Sequence, residues 1–232
     1  MRCGAVVVAA GRSQRMGANK TMISLGGRPV ILRVLDTLSA STEISEIILV
    51  TNADNLSEIE VLVDEVAYDE SLELCLGGET RYESVRHGVE SLCDDVDLIL
   101  IHDAARPLVA LDLVRSVIAA GETSGAAIAA TPVTDTIKLV ESDDLITRTL
   151  DRRTLFAAQT PQVFRRDWLM DAYHKAQDRQ EQVDFTDEAA LLEWAGYEVR
   201  IVPGSDENIK LTRPFDITLA ETILAQREQA ST

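Results

Sequence analysis

The chain has 232 residues, 46% apolar and only 4% aromatic, enough for one sizeable core built from Val, Ile, Leu and Ala. Its net charge of −17, from 22 basic and 39 acidic residues, opposes binding to nucleic acid or an anionic membrane. Cys3, Cys75 and Cys93 form no C-x-x-C pair, which disfavours zinc and disulfides, and no apolar run approaches the ~18 residues of a membrane helix. A soluble, cytoplasmic protein with buried, inert thiols at Cys3 and Cys75 is expected.

In chain order, strand-like apolar runs alternate with segments of helical period. "CGAVVVA" (3–9) precedes a helix with Val30, Ile31, Val34, Leu35 and Leu38 on its apolar face, and "EIILVT" (46–51) precedes one with Leu56, Ile59 and Leu62. "LELCL" precedes Val85, Val89 and Leu92; "DLILIHD" (97–103) precedes Leu111, Val114, Val117 and Ile118; "GAAIAATPV" (125–133) closes the series. Such alternation predicts a doubly wound, mostly parallel sheet. Ligands sit beyond the carboxyl ends of strands in such sheets, which places 9–17, 77–84 and 102–106 on one rim.

Residues 134–157 break the alternation, and the turn-like Ser142-Asp143-Asp144 predicts a protruding β-hairpin. A helix follows with Trp168, Leu169, Ala172, Tyr173 and Ala176 on one face. Another spans "TDEAALLEWAG" (186–196), with Thr186 as its N-cap and Gly196 as its stop. "YEVRIVPG" reads as a strand. The last helix is expected near Thr212, with Pro214 in its first turn and Phe215, Leu219, Ile223 and Leu224 buried. The whole reads as a single Rossmann-like α/β domain over 1–232 with a β-hairpin arm at 134–157.

The loop "GRSQRMGANK" (11–20) after the first strand has the look of a phosphate grip, but two familiar grips fail on spacing. Ser13 and Arg15 stand where G-x-G-x-x-G needs a second glycine and a neutral helix start, and Gly11 and Gly17 fit no G-x-x-x-x-G-K-[ST] register. Arg12, Arg15 and Lys20 suit a triphosphate; the plain alternative is a solvated basic loop. Against the acidic background, Arg106, Lys138, Arg152 and Lys210 also stand out as loop cations, which points to a small anionic ligand. Asp103 ends an apolar strand and can hold Mg²⁺ there, or else cap the next helix. His102 reads as a packing or hydrogen-bonding residue. Gly77 and Gly78 permit close approach of backbone to a planar base, with Ser84 available for its amide edge.

Taken together, "AAGRSQRMGANK", "LGGETRYESV", "HDAARP", "PVTDTIK", "LDRRTLFAAQTPQ", "FTDEA" and "ENIKLTRPFD" resemble the 2-C-methyl-D-erythritol 4-phosphate cytidylyltransferase family, over nearly the whole chain from Ala5 to Ala220. That resemblance implies transfer of CMP from CTP to the methylerythritol phosphate with release of pyrophosphate, aided by Mg²⁺ or another divalent cation. It implies Arg15 and Lys20 on the CTP phosphates, Gly78, Glu79 and Ser84 on cytosine, and Asp103 serving the metal and ribose. Ala9, Ala10, Gly11 and Ala104 join the substrate-binding positions. Arg106, Thr136, Arg152, Thr160 and Thr186 would surround the acceptor phosphate, and Lys210 would reach the α-phosphate. Arg15, Lys20, Arg152 and Lys210 form the implied catalytic set, and the arm becomes a homodimerisation element that delivers Thr136 and Arg152 to the neighbouring chain. Two positions depart from the family pattern: Ser13 replaces a glycine, and Thr21 stands where Gln is usual. A cytidylyltransferase acting on ribitol 5-phosphate, or a non-catalytic nucleotide-binding module, would share much of this pattern.

Overall fold

In the computed structural model, described for residues 1–11, 21–66, 68, 71–141, 144–178 and 185–230, the chain begins with β1 (Cys3–Val8), β2 (Ser24–Leu25) and β3 (Arg28–Pro29). It continues through α1 (Val30–Ser39), β4 (Ile44–Thr51), α2 (Leu56–Val66), β5 (Leu72–Leu76), α3 (Arg81–Ser91), β6 (Leu98–Asp103), α4 (Leu111–Ser124) and β7 (Ala126–Pro132). Then come β8 (Lys138–Val140), β9 (Ile146–Thr149), β10 (Phe156–Arg165), α5 (Arg166–Asp178), α6 (Glu188–Ala195), β11 (Arg200–Pro203) and α7 (Pro214–Ala230). None of the described helices is long and apolar enough to cross a membrane.

Among these residues, seven strands form one sheet in the order β11-β7-β10-β6-β1-β4-β5. β1 runs parallel to both β4 and β6, β4 to β5, and β7 to β11. Strands covered on both faces need apolar residues at every position, which is why "CGAVVV" and "LILIHD" read as unbroken buried runs. Their side chains still alternate. Ala5, Val7, Leu98 and Leu100 face the layer holding α1 and α4, while Val6, Ile48, Val50, Ile99 and Ile101 face the layer of α3, α5 and α6. Each such fully buried Val, Leu or Ile contributes about 1.5–3 kcal/mol. Gly88 lets α3 lie close on the sheet, since a Cβ there would stand 2.5 Å from Val6 Cγ1.

The mostly parallel, doubly wound sheet is as expected, with one insertion that the sequence pattern hid. β10 runs antiparallel between β6 and β7. Its "FAAQTPQVFR" lacks alternation, and the ladder to β7 is interrupted between Ala158 and Gln162, around Pro161, which has no N–H to give. Three local expectations are also corrected. Asp187, not Thr186, caps α6, accepting the Ala190 N–H at 2.9 Å. On α7, Phe215 is 73% exposed and Leu219 also faces outward, while Ala220 and Ile223 are buried against Leu25, Val30, Leu108 and Leu211. The packed stripe is therefore rotated from the one read by four-residue spacing. Cys75 is only half-buried, whereas Cys3 is buried, its thiol pushed up to about 12 by burial.

The arm is a separate two-stranded hairpin, β8 paired antiparallel with β9. Of its turn, Ser142 and Asp143 lie outside the described residues, and Asp144 adopts a left-handed φ of 58°. Both strands are exposed throughout, Val140 at 46% and Ile146 at 61%.

Candidate nucleotide site

The carboxyl ends of the parallel strands meet in register, Val8 beside Asp103 and Val50. The chain leaves those ends still hydrogen-bonded: Ala9 N–H to Val50 O, Ala104 N–H to Val8 O, and Gly77 N–H to Thr51 O. Since β1 connects outward to β4 and β5 while β6 lies on its other side, the strand order reverses here, where α/β sheets open a crevice. A cavity of about 650 Å³ occupies it, within the size range of nucleotide and cofactor sites. Ala9, Ala10, Gly11, Gly78, Glu79, Ser84, Asp103 and Lys210 all line it. Arg15 and Lys20 lie outside the described residues.

One wall is the loop from β5 to α3. A Cβ on Gly77 would stand 2.6 Å from Ala10 Cβ, and one on Gly78 would stand 2.5 Å from Glu83 Cβ, so neither position admits a side chain. Thr80 and Glu83 close a reciprocal cap, Thr80 Oγ1 accepting the Glu83 N–H and Glu83 Oε2 accepting the Thr80 N–H, both at 3.1 Å. Glu83 Oε2 also accepts the Glu79 N–H at 2.8 Å. Ser84 is buried; its hydroxyl donates to Thr80 O at 2.8 Å and accepts from the Gly78 N–H at 3.1 Å. Its hydrogen is thus spent on bracing the loop, which corrects the expectation of a free donor for a base edge.

The opposite wall is a charged cluster around Asp103. Lys210 Nζ donates to Asp103 Oδ2 at 2.7 Å, Arg106 Nε stands 3.8 Å from that oxygen, and Arg81 Nε stands 3.6 Å from Oδ1. Burial would raise this carboxyl, but Lys210, Arg81 and Arg106 outweigh it and hold it down to about 2. Arg81 also grips Glu188 with Nη1 at 3.0 and 2.8 Å from its two oxygens. Burial opposes the Arg81 charge, yet Glu188 and Asp103 leave its pKa above the ordinary value; burial pushes Glu188 up. Neither Arg81 nor Glu188 was picked out from sequence. They are separated by 107 positions, and no local pattern announces such a pair.

Beneath Asp103, His102 is fully buried. Its Nε2 lies 3.2 Å from Arg106 O and must carry the proton, because a carbonyl only accepts. Nδ1 is then the acceptor for the Thr160 hydroxyl at 3.1 Å, and Thr160 Oγ1 accepts the Asp103 N–H at 3.0 Å. Burial holds His102 down to about 4, so it is neutral and serves as a strut, as its reading from sequence implied.

The acceptor-side residues divide. Thr160 faces inward, and Arg106 is only 9% exposed, with Nη1 donating to Asn208 O at 2.8 Å and Nη2 to Ala158 O at 3.4 Å. An open anion clamp at Arg106 is thereby corrected to a strut between β10 and the 205–211 segment. Ala104 is fully buried, and its neighbour Ala105 lines the cavity instead. Thr136, Arg152 and Thr186 are exposed and lie outside the cavity lining, Arg152 Nη1 donating to Thr134 O at 2.6 Å. Asn52, also in the lining, braces the β1 exit by donating to Ala10 O at 3.2 Å.

The family model for 2-C-methyl-D-erythritol 4-phosphate cytidylyltransferase matches residues 3–226. The cytidylyltransferase of that name from Dehalococcoides mccartyi (strain CBDB1) is 40% identical over 224 residues, 96% of each chain. The one from Pelotomaculum thermopropionicum is 39% identical over 231 residues, 98% of this chain and 96% of that one. The crystal structure of 4-diphosphocytidyl-2C-methyl-D-erythritol synthase from Anaerococcus prevotii superposes with a TM-score of 0.86 at 31% identity, over 97% of this chain and 98% of that one. With this fold, this cavity and these matches along nearly its full length, the chain belongs to the 2-C-methyl-D-erythritol 4-phosphate cytidylyltransferase family.

Proposed function

We propose that the protein transfers CMP from CTP to 2-C-methyl-D-erythritol 4-phosphate, giving 4-diphosphocytidyl-2-C-methyl-D-erythritol and pyrophosphate. The observation that carries this reading is the cavity between a side-chain-free glycine wall and the Asp103–Lys210 pair. The first suits a flat base lying close against the backbone of Gly77 and Gly78. The second suits a phosphate chain, because Lys210 is 38% exposed and can turn to an anion.

The chemistry needs no general base. An acceptor phosphate oxygen, already anionic, attacks the α-phosphorus; the bond to the β-phosphate oxygen breaks and pyrophosphate carries the electron pair away. The barrier lies in bringing two anions together, and fixed cations lower it. Lys210 would meet the α-phosphate, Arg15 and Lys20 the rest of the triphosphate. Arg152, Thr136 and Thr186 would hold the acceptor phosphate. In a homodimer, the arm would bring the first two from the partner chain, and Arg106 and Thr160 would support that region from beneath.

Asp103 fits a divalent cation as its single protein carboxylate. Asp103 lines the cavity, and Arg81 Nε, 3.6 Å from its Oδ1, is beyond hydrogen-bond reach of that oxygen. Mg²⁺ commonly takes one carboxylate and completes its shell with phosphate oxygens and water. It would supply neutralisation of phosphate charge.

The test is pyrophosphate release with CTP, UTP or ATP against methylerythritol, ribitol and erythritol phosphates. Turnover is expected with CTP and the methylerythritol phosphate. Comparable turnover with UTP would overturn the base reading, and a preference for ribitol 5-phosphate would move the acceptor to that polyol.

A further inference from the structure

Lys210 and Arg81 both attend Asp103, but they are held differently. Lys210 carries a compact ammonium on a flexible stem, more than a third exposed, free to follow a phosphate group. Arg81 is gripped by both oxygens of Glu188, which is 2% exposed, and has no such freedom. Its position joins two parts of the cavity wall to the helix behind them. Arg81 is the first residue of α3, directly after the glycine loop; Asp103 ends β6; Glu188 is the first residue of α6, two positions beyond Thr186.

A phosphate chain entering the cavity competes with Asp103 for Lys210. Once Lys210 turns away, Asp103 loses its 2.7 Å partner while still buried, and a buried carboxylate needs another group to fix its position. Arg106 stands at 3.8 Å, with its Nη atoms committed to Asn208 and Ala158. Among the described residues Arg81 is the remaining side-chain cation at Asp103, and Asp187, the other carboxylate near it, is occupied by Gln162 Nε2 at 2.8 Å and the Ala190 N–H at 2.9 Å. We infer that Arg81, anchored by Glu188, is a positioning residue that holds Asp103 in place while Lys210 engages the nucleotide phosphates. This deepens the cytidylyl-transfer reading and rests on it.

The experiment compares wild type, Arg81→Lys, Glu188→Gln and the double variant, with kcat, KM for CTP and for the acceptor, equilibrium CTP binding and Tm measured for each. Lysine keeps the charge of Arg81 but cannot span both carboxylates. Each single variant is expected to lose roughly 10-fold or more in kcat with KM for CTP within about 3-fold. The double variant should be no slower than the slower single, because the pair acts as one unit. Should Glu188→Gln fail to fold, Arg81→Lys carries the test alone. Folded variants with wild-type kcat overturn the inference, as do losses that multiply in the double variant or that track Tm and vanish on cooling. A wild-type chain that transfers nothing overturns the functional reading, and this inference with it.

Discussion

The Asp103 cluster and the arm are the two charged regions assigned to the same reaction, and they are built by opposite means. Around Asp103 the charges are partnered within the chain, at 2.7 Å to Lys210 and through the doubly bonded Arg81–Glu188 pair, on a rim fixed by parallel strand ends. On the arm, Arg152 is exposed with a backbone carbonyl as its bonded neighbour, and Leu145 is 71% exposed beside Val140 and Ile146. A lone hairpin with an uncovered apolar face is marginal in water. In the proposed reaction, one chain would finish the nucleotide half of the site, and another surface would complete the acceptor half.

Breaking the finished half should cost most. Lys210→Ala is expected to lower kcat by at least ~10²-fold and to raise KM for CTP far less, since its contact belongs to the transition state. Asp103→Asn should lose a similar factor; near-normal turnover at saturating Mg²⁺ would make Asp103 structural. The unfinished half is tested by mixing. Arg152→Ala and Lys20→Ala dimers should each be nearly inactive, and co-refolding should restore about a quarter of wild-type activity, because a randomly paired twofold dimer then has one intact site in each mixed pair. No recovery despite demonstrated mixed dimers would place Arg152 within its own chain.

Stability separates the halves further. His102 falls from an ordinary value of 6.5 to about 4 on folding, so the unfolded chain binds more protons between those values. Its contribution is complete above pH 6.5 and is lost as pH falls toward 4, a loss of about 3 kcal/mol. Urea unfolding across that window should show a steeper slope in wild type than in His102→Gln. The smallest effect is expected at Ser84→Ala, which removes the loop brace for about 1 kcal/mol and raises KM for CTP a few-fold. Unchanged CTP affinity there would mean the loop holds its shape without it.

The parallel core was legible because burial on both faces leaves its mark inside each segment, as in "AVVVAA" and "LILIHD". The glycine wall was legible for the same local reason. β10 was not, because a strand paired in the middle of a sheet through "AAQTPQ" takes its place from Ile101 and Ile128 rather than from its own pattern. Thr160, Arg106 and Ser84 were recognised as belonging to the site, yet their polar atoms bond inward to His102, Asn208 and Thr80. Residue type and order locate a site; which way a hydroxyl faces depends on partners dozens of positions away.

The place of β10 has a consequence for the order in which the protein is made. A ribosome delivers β6 and β7 before Phe156–Arg165 exists, so the edge of β6 waits unpaired for a strand that must enter between two others already synthesised. Lys210 and Glu188 emerge later still, each 107 positions after the residue it binds. During synthesis Asp103 is thus a strand end without Lys210, its 2.7 Å partner, and contacts of such long separation close slowly. The cavity wall at Lys210 is completed only after every strand of the sheet has been made, and a chain released before residue 210 would carry all seven strands with neither Lys210 nor α7.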